Sequence, residues 1–263
     1  MTRGINLGCG TVILPCERPH HHRALPEELY TNAAIQWDNA DWNGQPGVNI
    51  VCDLFDYPWR HQATGEVIPD NTYDVAIASH IVEHIPHHVV ENGQFIPHHP
   101  QYQDGWFAWF SELWRVLKKP GGMAHILVPY AYSNSGVADP SHTRYIIPAT
   151  FGYFDTEYNG SPFVYRSKMR WHEVDFTKDL VFVPHEQAVA LFRSQVKFMD
   201  RFTDFLTSGT LTMERDWDLD EDLPQEGHDA EWMQAQVWQM AQRYQNMIAE
   251  FTVRMEALPL HDD

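Results

Sequence analysis

Apolar residues in the first half of the chain fall into short dense runs, separated by polar stretches that contain proline and glycine. The runs at 4–7, 35–39, 48–52, 73–79 and 123–129 are rich in Val, Ile and Ala and are bounded by turn residues, the pattern of buried strands. Trp106, Phe110, Leu113 and Leu117 recur at helical spacing and predict a helix over 105–118. Strands alternating with helices predict a parallel sheet with helices on both faces, whose ligands sit at the carboxyl ends of the strands. Residues 15–32 read as a loop followed by a short helix with Pro26 in its first turn, and 86–104 as an exposed insertion. The alternation over 163–183 predicts two further strands.

The C-terminal third reads differently. Val189, Phe192, Val196, Met199 and Leu206 share roughly one helical face, which ends at Gly209. An acidic linker follows at 214–230. Met233, Val237, Met240, Tyr244, Met247 and Phe251 then repeat with spacings of 4, 3, 4, 3 and 4, predicting a heptad seam on a helix over 231–257. The division that results is a domain over 1–183 and a helical extension over 184–263. The seam suits packing on its own domain or a homodimer contact.

The strand ends carry the chemistry. Ile5-Asn-Leu-Gly-Cys-Gly-Thr11 runs from a strand into a Gly-x-Gly turn, where Gly8 and Gly10 permit positive φ and let a ligand reach the backbone. Ile35-Gln-Trp-Asp-Asn-Ala-Asp41 ends in carboxylates, and Val48-Asn-Ile-Val-Cys-Asp-Leu54 ends in Asp-Leu. Tyr73-Asp-Val-Ala-Ile-Ala-Ser-His80 is followed by Ile81-Val-Glu-His-Ile85. Finally Glu112-Leu-Trp-Arg-Val-Leu-Lys-Lys-Pro-Gly-Gly122 leads into His125-Ile-Leu-Val-Pro-Tyr130, and Asp139-Pro-Ser-His142-Thr-Arg144 follows.

This ordered series resembles the class I S-adenosylmethionine-dependent methyltransferases, in particular their type 11-like branch, over roughly residues 3–155. The resemblance implies a Rossmann-like, doubly wound, seven-stranded and mostly parallel sheet whose last strands are antiparallel. It implies methyl transfer from S-adenosyl-L-methionine, with Asn6, Gly8, Cys9, Gly10, Asp41, Asp53, Leu54, Ser79 and His80 around the cofactor. Asp41 would take the ribose hydroxyls, with Asp38 as its competitor. Asp53 and Leu54 would face the adenine, and Ser79 and His80 would flank the sulfonium. His142 is the first candidate for a general base, with His80 beside it, and Arg144 and Tyr130 are possible acceptor contacts.

Other readings of the same residues are weaker. A dinucleotide site wants a third glycine where this chain has Ile13. His80-Ile-Val-Glu-His84 has the spacing of a zinc protease motif, but that motif needs a helix presenting both histidines on one face. No metal is assigned, and whether a divalent ion binds near His80, Glu83 and His84, with His142 as a further ligand, stays open. The rival from another class is a non-catalytic scaffold acting through its C-terminal helices.

Composition narrows the acceptor. The 18 Lys and Arg against 36 Asp and Glu leave a net charge of −18, which disfavours nucleic acid and favours a small molecule, sugar or protein. No apolar run suggests a membrane span or a signal peptide, so a cytoplasmic protein is expected. Cys9, Cys16 and Cys52, an odd set, read as reduced thiols. The first strand begins close to Met1, so cover for the cofactor is expected from the 86–104 insertion or the C-terminal helices. Deleting 210–263 is therefore expected to weaken cofactor binding.

Overall fold

Twelve strands and four helices can be traced in the computed structural model, which describes residues 2–19, 25–154, 169–175, 179–182, 211–212 and 248–259. In chain order they are β1 (Thr2–Leu7), α1 (Glu28–Thr31), β2 (Ile35–Asp41), β3 (Ile50–Val51), β4 (Asp56–Tyr57) and β5 (Val75–Ser79). Then come β6 (Val89–Glu91), β7 (Gln94–Ile96), α2 (Gly105–Val116), β8 (Gly122–Pro129), α3 (Asn134–Ala138) and α4 (Ala149–Gly152). The last are β9 (Trp171–Asp175), β10 (Asp179–Phe182), β11 (Leu211–Thr212) and β12 (Ile248–Ala257).

The main sheet has the order β11-β10-β12-β8-β5-β1-β2-β3, with β9 also beside β12. From β3 to β8 all neighbours are parallel, whereas β12 runs antiparallel to β8 and to β10. The chain builds outward from β1 through β2 to β3, then crosses to β5 on the other side of β1. That reversal makes a crevice at the carboxyl end of β1, where ligands of doubly wound sheets bind. This is the Rossmann-like, mostly parallel sheet with antiparallel last strands that the motif order implied.

The helix expected over 231–257 is not present at 248–257, where the chain forms β12 at the heart of the sheet. Phe251, Val253, Met255 and Ala257 alternate in sequence and are fully buried, the two-residue period of a strand. Phe251 satisfies both periods, which is why a heptad seam could be carried into it. β9 and β10, the two strands expected within 163–183, lie in succession along the edge of β12 away from β8, both antiparallel to it. β12 therefore ties the chain's last strand into the same sheet as its first, across the boundary expected at 183. The helix expected at 185–207, the linker at 214–230 and the seam over 231–247 lie outside the described residues.

Helix α2 is capped where its sequence says it should be. Asp104 Oδ1 accepts from the backbone N–H groups of Trp106 (2.9 Å) and Phe107 (3.3 Å), and Lys119 Nζ donates to the carbonyls of Trp114 and Arg115. Its apolar face buries Trp106, Trp109, Phe110 and Leu113. Trp109 meets Trp59 edge-on at 5.7 Å, and Phe110 lies 4.5 Å from Phe154. Each such side chain contributes about 1.5–3 kcal/mol of burial. The 86–104 insertion is folded: β6 and β7 make a hairpin around Asn92-Gly93, both at positive φ, and β6 pairs with β4. Among the described residues no helix is long and apolar enough to cross a membrane.

Candidate functional site

Strand register brings the motif residues to one edge. Leu7 is level with Ala40 on β2 and with Ala78 on β5, so Gly8, Asp41 and Ser79 follow side by side. Asp41 is level with Val51, which sets Cys52 and Asp53 just beyond, and Ser79 is level with Leu127. Neighbouring strands lie about 4.8 Å apart, so these residues converge without any long-range folding of loops.

The Gly-x-Gly turn is a backbone cradle. Gly8 has φ +63° and Gly10 φ +49°, both left-handed. The Cys9 N–H donates to the Ala40 carbonyl (3.1 Å), and the Gly10 N–H donates to Asp41 Oδ2 (2.9 Å). Asp41 Oδ1 accepts from the Asn43 N–H (3.0 Å), so the carboxylate is held by backbone on both sides. A Cβ on Gly8 would lie 3.0 Å from Ile81 Cδ1, whereas a Cβ on Gly10 would meet nothing within 4 Å. Asn6 is engaged within the protein. It is buried, and its Nδ2 donates to the Val12 carbonyl (2.7 Å) and to Asn39 Oδ1 (3.1 Å), fastening the turn from beneath. Cys9 is likewise buried, and burial together with the nearby Asp41 charge pushes its thiol up to about 12, which keeps it neutral.

Of the two carboxylates on β2, Asp38 is committed elsewhere. It accepts from Arg3 Nη2 (2.8 Å), Tyr73 OH (2.9 Å) and Asn49 Nδ2 (2.6 Å), a network that locks β1, β2 and β5 together. Asp53 is exposed, with Oδ1 accepting from the Phe55 N–H, while Leu54 is buried in the core. Trp42, directly after Asp41, is 74% exposed. Sequence reasoning passed over it, although a large aromatic beside the strand-end carboxylate was a visible signal.

The other side of the crevice is built from β5, β8 and β12. His80 has φ +53°, and its N–H donates to the Leu127 carbonyl (2.9 Å). Its ring lies between two carboxylates, Nδ1 3.4 Å from Glu83 and Nε2 3.6 Å from Glu250. Burial disfavours the imidazolium, but the Glu83 contact and the Glu250 charge outweigh it and raise the pKa. Glu250 could not be found from the sequence while 231–257 read as a helix. The zinc protease arrangement is not formed, because His80 follows a strand and His84 ends a 3-10 turn, Val82–His84.

That turn carries a second cluster. Glu83 is 1% exposed, and neither carboxylate oxygen has a hydrogen-bond partner among the described residues. His84 and His142 meet edge-on, ring centroids 4.8 Å apart. His142 arrives there because the Thr143 and Arg144 N–H groups donate to the Glu83 carbonyl and Thr143 Oγ1 donates to the Ile85 carbonyl (2.6 Å). Arg144 pairs with Asp104 (3.1 Å) over the Trp106 ring, and Tyr130 is buried. Next to Thr143 a cavity of about 450 Å³ opens among Trp106, Phe107, Arg144, Ile146 and Phe154.

No family model and no curated protein matches the chain. Several solved structures are similar to it. A SAM-dependent methyltransferase from Archaeoglobus fulgidus superposes with a TM-score of 0.45 at 15% identity, over 97% of this chain and 86% of that one. The [4+2]-cyclase SpnF gives 0.42 at 14%, over 99% and 75%. Phosphoethanolamine N-methyltransferase 2 of Haemonchus contortus, in complex with S-adenosyl-L-methionine, gives 0.35 at 11%, over 98% and 49%.

Proposed function

We propose that the chain is an S-adenosylmethionine-dependent methyltransferase. One observation carries the reading. At the reversal of the sheet, Asp41 holds the Gly10 N–H, Gly8 and Gly10 take the left-handed turn, and the space over the Gly10 α-carbon is free of side chains. A carboxylate so placed keeps a lone pair on each oxygen for the ribose hydroxyls, and the open face of Gly10 admits the methionine portion. These residues fit an adenosyl group, with Trp42 and Asp53 at the mouth on the adenine side. When bound, S-adenosylmethionine supplies a methyl group already activated on a sulfonium.

The protein then has to position the acceptor and exclude water. The cavity beside Trp106 and Arg144 suits the body of a small organic acceptor, and the net charge of −18 argues against nucleic acid. His80, with both ring nitrogens at carboxylates, acts as a positioning residue that joins β5 to β12. Activation of the acceptor falls to the cluster of Glu83, His84 and His142.

Calorimetric titration with S-adenosylhomocysteine tests the proposal. Asp41→Asn keeps the side-chain shape but removes the charge and one acceptor. Its affinity should fall by about 10-fold or more, since hydrogen bonds to a charged group contribute roughly 1.5–3 kcal/mol. No binding to the wild-type chain, or equal binding to the variant, would sink the reading.

A further inference from the structure

We propose that Glu83, His84 and His142 form a binding site for a divalent transition-metal ion such as Zn2+ or Co2+. Each residue offers a ligand atom within 4.8 Å of the other two. A point equidistant from three atoms that far apart lies about 2.8 Å from each, and small side-chain rotations bring them to the roughly 2.0–2.2 Å of zinc ligands.

The surroundings of the three side chains favour ligation. His142 Nδ1 is 3.0 Å from the Gly136 carbonyl, and His84 Nδ1 is 3.3 Å from the Ser141 carbonyl. A carbonyl can only accept, and Ser141 Oγ, 3.1 Å from the same His84 nitrogen, gives its own proton to Asp139 Oδ1 (2.6 Å), so these contacts favour a proton on Nδ1 and an Nε2 lone pair in both rings. Metal-binding histidines are commonly oriented in this way. His142 Nε2 is 3.9 Å from Asp139 Oδ2, beyond hydrogen-bond length. The Glu83 carboxylate is buried, without a hydrogen-bond partner among the described residues, and meets His80 only at ion-pair distance. His80 approaches Oε1 alone, which leaves the buried Oε2 for a second cation.

The donor set narrows the ion. Two imidazoles and one carboxylate suit Zn2+, Co2+ or Fe2+ better than Mg2+ or Ca2+, which prefer oxygen shells. Three protein ligands leave positions open, as catalytic sites do. An acceptor oxygen would take an open position; this last step rests on the methyltransferase reading, whereas the ion site does not.

The full-length protein, stripped with a chelator, is titrated with Co2+ and followed by visible absorption, with Zn2+ as competitor. One equivalent should give d–d bands that Zn2+ abolishes. Glu83→Gln and His142→Asn should each lose at least the roughly 10–100-fold in affinity that removal of an outer partner costs. Folding of the variants is checked by circular dichroism. Ser141→Ala, which removes the hydroxyl that links His84 Nδ1 (3.1 Å) to Asp139 (2.6 Å), should bind Co2+ about 10-fold more weakly and covers the case of a variant that does not fold. No bands in the wild type, or bands unchanged in the variants because other histidines bind, overturns the site. S-adenosylhomocysteine titrations of the same samples separate the two proposals. Cofactor binding without Co2+ bands discards the ion site alone, and bands without cofactor binding discard methyl transfer alone.

Discussion

Replacing Gly10 by alanine separates the demands of the backbone from those of the ligand. At φ +49° an L-residue pays about 1–2 kcal/mol for the left-handed conformation. Nothing lies within 4 Å of the added Cβ, so no clash is added to that strain. The melting temperature should therefore fall by only roughly 2–4 °C for each kcal/mol in a chain of this size. The effect on the cofactor should be larger, because the new methyl occupies the face over the Asp41-bound amide where the ligand must approach. Loss of that approach at about 2 kcal/mol corresponds to roughly 30-fold weaker binding of S-adenosylhomocysteine. The assay is calorimetry beside a thermal melt. Gly8→Ala is the contrast, since its Cβ would press on Ile81 Cδ1 at 3.0 Å and should cost more stability than Gly10→Ala. The reasoning fails if Gly10→Ala melts slightly lower but binds within about twofold of the wild type.

Two further outcomes follow from the sheet. Burial, with the Arg254 charge adding to it, lowers the His125 pKa from 6.5 to about 4. Because the folded value is the lower one, the unfolded chain takes up a proton first. Stability is then full above pH 6.5 and falls between 6.5 and 4, by about 3 kcal/mol for this group. His125→Leu should lose stability more gently across that range in urea denaturation; parallel curves for the two proteins would count against the assignment. Deleting 210–263 removes β12, whose buried Phe251, Val253 and Met255 contribute roughly 1.5–3 kcal/mol each against a total stability of about 5–15 kcal/mol. The truncated chain should not fold, so its loss of cofactor binding would report the missing strand and not a missing cover. A soluble truncated protein with a cooperative melt would contradict this.

Local pattern by itself determined much of this protein. The apolar runs at 4–7, 35–39, 73–79 and 123–129 became β1, β2, β5 and β8 because buried parallel strands need little beyond dense β-branched and small apolar residues. Their ends were equally legible, because a Gly-x-Gly turn and strand-end carboxylates are marks left by neighbours in sequence. What sequence could not decide depends on partners far along the chain. Asp38 and Asp41 look alike as letters; they differ because Arg3, Tyr73 and Asn49 claim one of them while the Gly10 amide meets the other. Phe251 fits a heptad and a strand equally well, and only the vacant edge of β8 selects the strand. Glu83 and His84 were visible as a pair and His142 could be named as a possible companion, but what joins them is hydrogen bonding across about sixty residues, a contact that no local spacing encodes.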